Sequence, residues 1–237
     1  MRIFIINYNR LTSTRNMVEY LLTLPDADPV IIDNASTYPP LLHWYNHACP
    51  VEVELGTEDF GPRVLWANRS RLIPPGKVYA VTDSDLDLSG CPVDLLQHLT
   101  SGLDQYPEIR KVGVSLALED IPDDNPLQEF TRNREARYWE DERDDKFYDA
   151  DVATTFAVYR SHDGQPPAHY GPALRSKAPY QARHLPWYLT PDTMTDEDRY
   201  YLDRINPAWT GIVFSRHLQN HLDTLGPANY KEDVAYD

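Results

Sequence analysis

Two aspartates one residue apart close an apolar run, Val78-Tyr79-Ala80-Val81-Thr82-Asp83-Ser84-Asp85. On an extended backbone, residues i and i+2 face the same way, so Asp83 and Asp85 present two carboxylates to one point just past a strand end. Hard divalent cations such as Mg²⁺ and Mn²⁺ select oxygen ligands of this kind, often shared with substrate phosphates. Open α/β sheets collect ligands at the carboxyl ends of their strands. A cation held there would grip a diphosphate. Aspartate is also an ordinary turn former after a strand, so the pair takes its meaning from its context.

The elements that must position the pair follow from the hydrophobic pattern. Residues 2–8 form a continuous apolar run, the pattern of a central parallel strand. Residues 14–24 carry helical spacing and stop at Pro25. Residues 29–32 predict a second strand ending at Asp33-Asn34. Residues 39–47 predict a helix begun by two prolines, and 51–55 a short strand. A loop over 56–62 leads to a helix over 63–72 and then to the strand that carries the aspartates. A helix over 93–106 and a strand over 111–118 follow. Alternating strands and helices imply a mostly parallel sheet with helices on both faces, an α/β fold. Its polar tips, Asn7, Asp33 and Asp83, are what a nucleotide pocket needs. No Gly-x-Gly-x-x-Gly and no Walker loop is present, which disfavours dinucleotide dehydrogenases and P-loop kinases.

The second half reads differently. Residues 119–146 are dense in charge, and most of that charge is expected to be a solvated face. A helix is expected around 125–143, a strand over 152–159, a Pro-, Gly- and His-rich loop over 161–186, and helices over 195–204 and 211–222. At 237 residues the chain reads as one domain, with 1–118 as the nucleotide-binding half and 119–237 as the irregular acceptor-side half.

Bulk properties exclude several classes. A net charge of −15 argues against nucleic-acid or anionic-membrane partners, which demand a positive surface. An acidic protein that handles phosphates needs a local cation, which again favours a metal. No apolar run reaches the roughly 18 residues of a membrane span, and the apolar N-terminus is too short for a signal peptide. With only Cys49 and Cys91, a disulfide framework is not expected, and a reducing cytoplasm is the default location. The 16 tyrosines and five tryptophans could supply platforms for sugar faces and base rings, or simply fill core.

With these residues in hand, the chain resembles nucleotide-sugar glycosyltransferases of the GT-A fold, near glycosyltransferase family 2 and its small bacterial and algal-virus members. The likeness is carried by residues 31–42 (IIDNASTYPPLL), 79–85, 112–122, 154–160 (TTFAVYR) and 182–188 (ARHLPWY). It implies a metal-dependent transferase, a hexosyl- or deoxyhexosyltransferase. The sugar would come from a nucleoside-diphosphate sugar, UDP-sugar favoured, and go to a glycan or lipid-linked hydroxyl, with Mn²⁺ or Mg²⁺ as cofactor. It implies roles residue by residue. Asn7, Tyr8, Asn9 and Arg15 would border the nucleoside. Asp33, with Asn34 beside it, would accept a hydrogen bond from the base, and Arg63 would meet ribose or phosphate. Asp83 and Ser84 would lie near the ribose. Asp83, Asp85 and His184 would ligate the metal, with His162, His169 and His217 as weaker candidates. Asp120, with Glu119 beside it, is the expected catalytic base of an inverting reaction, and Asp151 and Glu140 are alternatives. The Glu-Asp pair usual in family 2 after the last core strand is not evident, so the stereochemical course stays open. Two other readings stand beside this one. A nucleotidyltransferase would carry a Gly-rich first loop, and Asn7-Tyr8-Asn9-Arg10 has no glycine. A non-catalytic sugar- or metal-binding module would bind without turnover.

Overall fold

In the computed structural model, the described residues are 1–125, 128–152, 156–161, 172–190 and 192–206. The strands are β1 (Arg2–Asn7), β2 (Asp28–Asp33), β3 (Glu52–Glu54), β4 (Val78–Asp83), β5 (Leu86–Asp87), β6 (Lys111–Gly113), β7 (Ser115–Leu116), β8 (Phe147–Asp149), β9 (Ala157–Arg160), β10 (Ala173–Ser176) and β11 (Gln181–His184). The helices are α1 (Thr12–Leu21), α2 (Pro39–His47), α3 (Val64–Asn68), α4 (Leu95–Gln105), α5 (Gln128–Glu135) and α6 (Asp196–Leu202). The fold is α/β, built on an eight-stranded sheet of order β3-β2-β1-β4-β9-β6-β10-β8. Six strands run one way, and β9 and β8 run against them. A small sheet of order β5-β11-β7 sits beside it.

The central strands form because their side chains are apolar on both sides. Ile3 and Ile5 pack with Met17, Leu21, Leu41, Leu95 and Leu99, from α1, α2 and α4. The intervening Phe4 and Ile6 pack with Val64 and Leu65 of α3. Full burial of each such side chain contributes about 1.5–3 kcal/mol, so helices are held to both faces. The connections from β1 to β2 and β3 step one way across the sheet, and β4 then lies on the other side of β1. The tips of β1 and β4 therefore flank the point where strand order reverses, the place where such sheets open a crevice for ligands.

Several expected elements differ. The strand expected over 111–118 is broken at Val114 into β6 in the large sheet and β7 in the small one, and Val114 N donates to Phe156 O. Gly113 allows the break. A Cβ there would lie 2.5 Å from Val152 Cγ1 and 2.9 Å from Phe156 O, closer than any side chain tolerates. The expected helix over 63–72 is the five-residue α3 between two 3₁₀ turns, and the one over 125–143 is α5 followed by a 3₁₀ turn, Ala136–Trp139. The segment 161–186, expected to be loop, contains β10 and β11. Their buried residues include Arg175 and Ser176, so no apolar run marked them. β8 was not anticipated either. The two sequence halves share one sheet, because β9 is inserted between β4 and β6. The expected helix over 211–222, His162, His169 and His217, and the TT of the 154–160 segment lie outside the described residues. Among the described residues no helix is long and apolar enough to cross a membrane.

Candidate active site

At the switch point the strand tips are tied by a chain of hydrogen bonds. Ser84 Oγ donates to Asn7 Oδ1 at 2.8 Å, Asn7 Nδ2 to Tyr45 OH at 2.7 Å, and Tyr45 OH to Asp33 Oδ2 at 3.1 Å. The other Asp33 oxygen accepts from Ser36 N at 2.8 Å. One relay thus locks β4, β1 and β2 in register at their carboxyl ends. Burial pushes the Asp33 carboxyl up, and the bonds from Ser36 and Tyr45 hold it down again in part. Asn9, with a positive φ of 52°, uses Oδ1 to accept from Thr37 N and Tyr38 N. Asn34 donates to Gly61 O and accepts from Phe60 N. Asn7, Asn9, Asp33, Asn34 and Ser84 are all buried, and in this state they build the rim of the sheet at the switch point.

The acidic pair lies beside that rim. β5 directly follows Asp85, and β11 pairs antiparallel with it, setting His184 opposite Leu86. His184 Nε2 consequently stands 3.7 Å from Asp85 Oδ1. That carboxylate oxygen and His184 Nδ1 are both buried and have no hydrogen-bond partner among the described residues. Burial lowers the His184 pKa although Asp85 works to raise it, so the imidazole is neutral at neutral pH and has one unprotonated ring nitrogen to offer a metal. Asp83 is pushed up to about 7, first by burial and then by the charge of Asp85, with Arg10 pulling the other way. Two crowded carboxylates and a neutral imidazole are a donor set that fits a hard divalent cation. Among the described residues they are not drawn into a closed cage of three acidic, His or Cys ligands.

Arg10, which sequence reasoning passed over, stands at the centre. Its guanidinium is buried, with NH2 3.7 Å from Asp85 Oδ2, NH1 3.8 Å from Asp198 Oδ1, and Cζ 3.8 Å over the Tyr201 ring. Burial works against its charge, but Tyr201, Asp85 and Asp198 more than offset it, and its pKa is raised. Asp198 and Tyr201 belong to α6, which closes over the first loop. Glu197 accepts from Leu11 N and Thr12 N at the start of α1, Tyr200 OH donates to Thr37 O, and Tyr8 OH donates to Arg204 O. The Thr195–Asp198 capping box that starts α6 was the available signal for this element.

Other anticipated residues sit elsewhere. Arg15 lies on the outer side of α1, half exposed, and pairs with Glu19 one turn on. Arg63 is exposed at the end of a 3₁₀ turn. Asp120 accepts from Arg183 Nε at 2.6 Å and from Tyr188 OH at 2.7 Å. The Tyr188 bond, followed by Arg183, holds its pKa below the usual carboxylate range, against burial. A lowered pKa makes a weak base. Arg183 and His184 are neighbours on β11, so their side chains leave opposite faces and Asp120 lies on the face turned from the Asp85–His184 contact. Glu119 is exposed, and its carboxylate accepts from Leu118 N. Asp151 is paired with Lys111 Nζ at 2.6 Å, and Glu140 is exposed.

No family model and no curated protein matches the chain. Among solved structures it is similar to S. aureus TarS 1-349 in complex with UDP-GlcNAc, with a TM-score of 0.46, 10% identity, and coverage of 94% of this chain and 70% of that one. A second TarS 1-349 structure gives 0.43, 12%, 67% and 46%. Glucosyl-3-phosphoglycerate synthase from Mycobacterium tuberculosis, in complex with Mn²⁺, uridine-diphosphate and glucosyl-3-phosphoglycerate, gives 0.42, 13%, 67% and 56%. The chain spans about half the length of the latter two. Likeness at this level assigns neither activity nor ligand, and the functional reading rests on the side chains.

Proposed function

We propose that the chain is a divalent-cation-dependent GT-A glycosyltransferase that transfers a hexosyl or deoxyhexosyl group from a nucleoside-diphosphate sugar, UDP-sugar favoured, to a hydroxyl of a glycan or lipid-linked acceptor. The observation that carries the reading is the approach of His184 to Asp85, beside Asp83, at the switch point of a mostly parallel sheet. Asp83, Asp85 and His184 would hold the cation. When bound, Mn²⁺ or Mg²⁺ supplies Lewis-acid neutralisation of charge on the departing diphosphate.

The remaining steps belong to the protein's own groups. The Ser84–Asn7–Tyr45–Asp33 relay keeps the strand tips from shifting, so the carboxylates stay oriented before the donor arrives. Tyr8 and Asn9 border the nucleoside side of the crevice, and Asp33 and Asn34 shape its floor. Asp120 and Glu119 are assigned to the acceptor side, although Asp120 lies on the β11 face turned from the Asp85–His184 contact. With its pKa lowered, Asp120 is better suited to accepting a hydrogen bond from an acceptor hydroxyl than to removing its proton.

The test is release of UDP from UDP-sugars with Mn²⁺, against a parallel reaction in EDTA. Turnover that needs the cation is expected. Absence of binding by UDP-, GDP- and dTDP-sugars in calorimetry, with and without Mn²⁺, would overturn the assignment.

A further inference from the structure

We infer that Arg10 binds the diphosphate of the donor nucleotide directly, through guanidinium N–H groups that no carboxylate in the site claims. The inference takes the identity of the ligand from the glycosyltransferase reading above, and assigns the binding group itself.

Three observations carry it. First, Arg10 lies in the loop that follows β1, at the crevice between the tips of β1 and β4, with its side chain only 9% exposed. Second, its two acidic neighbours are too far away to hydrogen-bond. The contacts to Asp85 at 3.7 Å and Asp198 at 3.8 Å exceed the roughly 2.7–3.2 Å of an N–H···O bond. They stabilise the charge without taking an N–H, and the side-chain partner that does engage the guanidinium is Tyr201. A planar fork of this kind matches a phosphate bidentately. Third, the group is held in place before any ligand binds. The Tyr201 ring supports the guanidinium plane, and the Arg10 carbonyl accepts from both Asn7 Nδ2 and Thr14 Oγ1. Little side-chain freedom remains to be lost on binding.

The chain's other expected phosphate groups do not offer this. Arg15 lies half exposed on the outer side of α1, beside Glu19, and Arg63 is exposed. In a chain with net charge −15, a dianionic group entering this crevice needs a cation at its wall, and Arg10 is the buried one. The competing role for Arg10 is purely mechanical, a brace between α6 and the first loop.

The two roles separate in calorimetry of UDP and uridine on wild type, Arg10→Gln and Arg10→Lys, each in EDTA and with Mn²⁺. Arg10→Gln should weaken UDP binding about 10–100-fold, the range for lost hydrogen bonds to a charged group, and leave uridine affinity unchanged. Arg10→Lys, which keeps the charge but loses the fork, should fall between. Equal losses for UDP and uridine, or unchanged UDP affinity, would reduce Arg10 to a brace. Should Arg10→Gln fail to give the wild-type circular dichroism spectrum, Arg10→Lys decides alone, and full UDP affinity there overturns the inference. If wild type binds none of UDP, GDP or dTDP, the glycosyltransferase reading itself falls, and the assignment of Arg10 with it.

Discussion

The rim around β1, β2 and β4 and the region of β8, β10 and β11 are held together by opposite means. At the rim, hydrogen bonds run in one relay from Ser84 to the Asp33 carboxylate without an ion pair, over strands that are apolar on both faces. In the second region charge does the joining. Arg175, 1% exposed, pairs with Glu135 at 2.9 Å and lies 3.9 Å over Tyr138, and Lys111 pairs with Asp151. A relay of hydrogen bonds around a single carboxylate fixes geometry with no buried ion pair to keep matched. Buried ion pairs fix it only while both partners remain. The candidate cation site stands at the seam, with Asp85 just past a β4 tip of the first region and His184 on β11 of the second.

That contrast can be broken at four points. The largest effect is expected from Asp85→Ala. It removes the one side chain that faces both His184 and Arg10, and should abolish cation-dependent UDP release while the thermal melt stays cooperative. Wild-type turnover in the variant would take Asp85 out of the site. In the charged region, Glu135→Gln leaves Arg175 buried and unpaired, and should cost about 3–5 kcal/mol in denaturant unfolding. The same substitution would be nearly silent if the pair were solvated.

The third point is pH. Burial, and then the charge of Asp85, push the Asp83 carboxyl up to about 7 in the folded protein, from the ordinary 3.8 of the unfolded chain. Below about pH 4 both states carry the proton. As pH rises towards 7 the folded state retains a proton that the unfolded state has released, so stability in EDTA should fall across that window. Asp83→Asn should flatten the decline. A wild-type melting temperature that tracks the variant from pH 4 to 7 would mean the carboxyl is not strained by burial and Asp85. The smallest effect is expected from Asp120→Asn. Its partner Arg183 is 46% exposed, so the loss in stability should stay under about 1 kcal/mol. A much larger loss would move this corner from the solvated class to the buried one.

Legibility in the sequence followed the same division. The first four strands of the large sheet were readable because apolar runs ending in Asn7, Asp33 and Asp83 carry a strong local signal. β10 and β11 were not, since an inward Arg175 or His184 looks like loop until its partner from a distant element is known. Asp83, Asp85 and His184 were singled out from sequence, and the structure brings His184 to 3.7 Å from Asp85, whereas Arg10 was not singled out. Its burial depends on Asp198 and Tyr201, far along the chain, and no local pattern announces that. Arg15 was named for the nucleoside border on the strength of the resemblance, and it stands on α1, half exposed beside Glu19.

The contact between α6 and α1 has a consequence in time. Leu11, at the head of α1, offers no side-chain cap, and the amides of Leu11 and Thr12 are instead met by Glu197, 185 residues beyond Thr12. Ribosomes add about 5–20 residues per second, so a nascent chain carries its first helix without a stopper for on the order of ten seconds or more. Glu197→Gln should leave that opening turn exchanging its amide protons faster in the finished molecule. α1 is thus sealed only after α6 has been made.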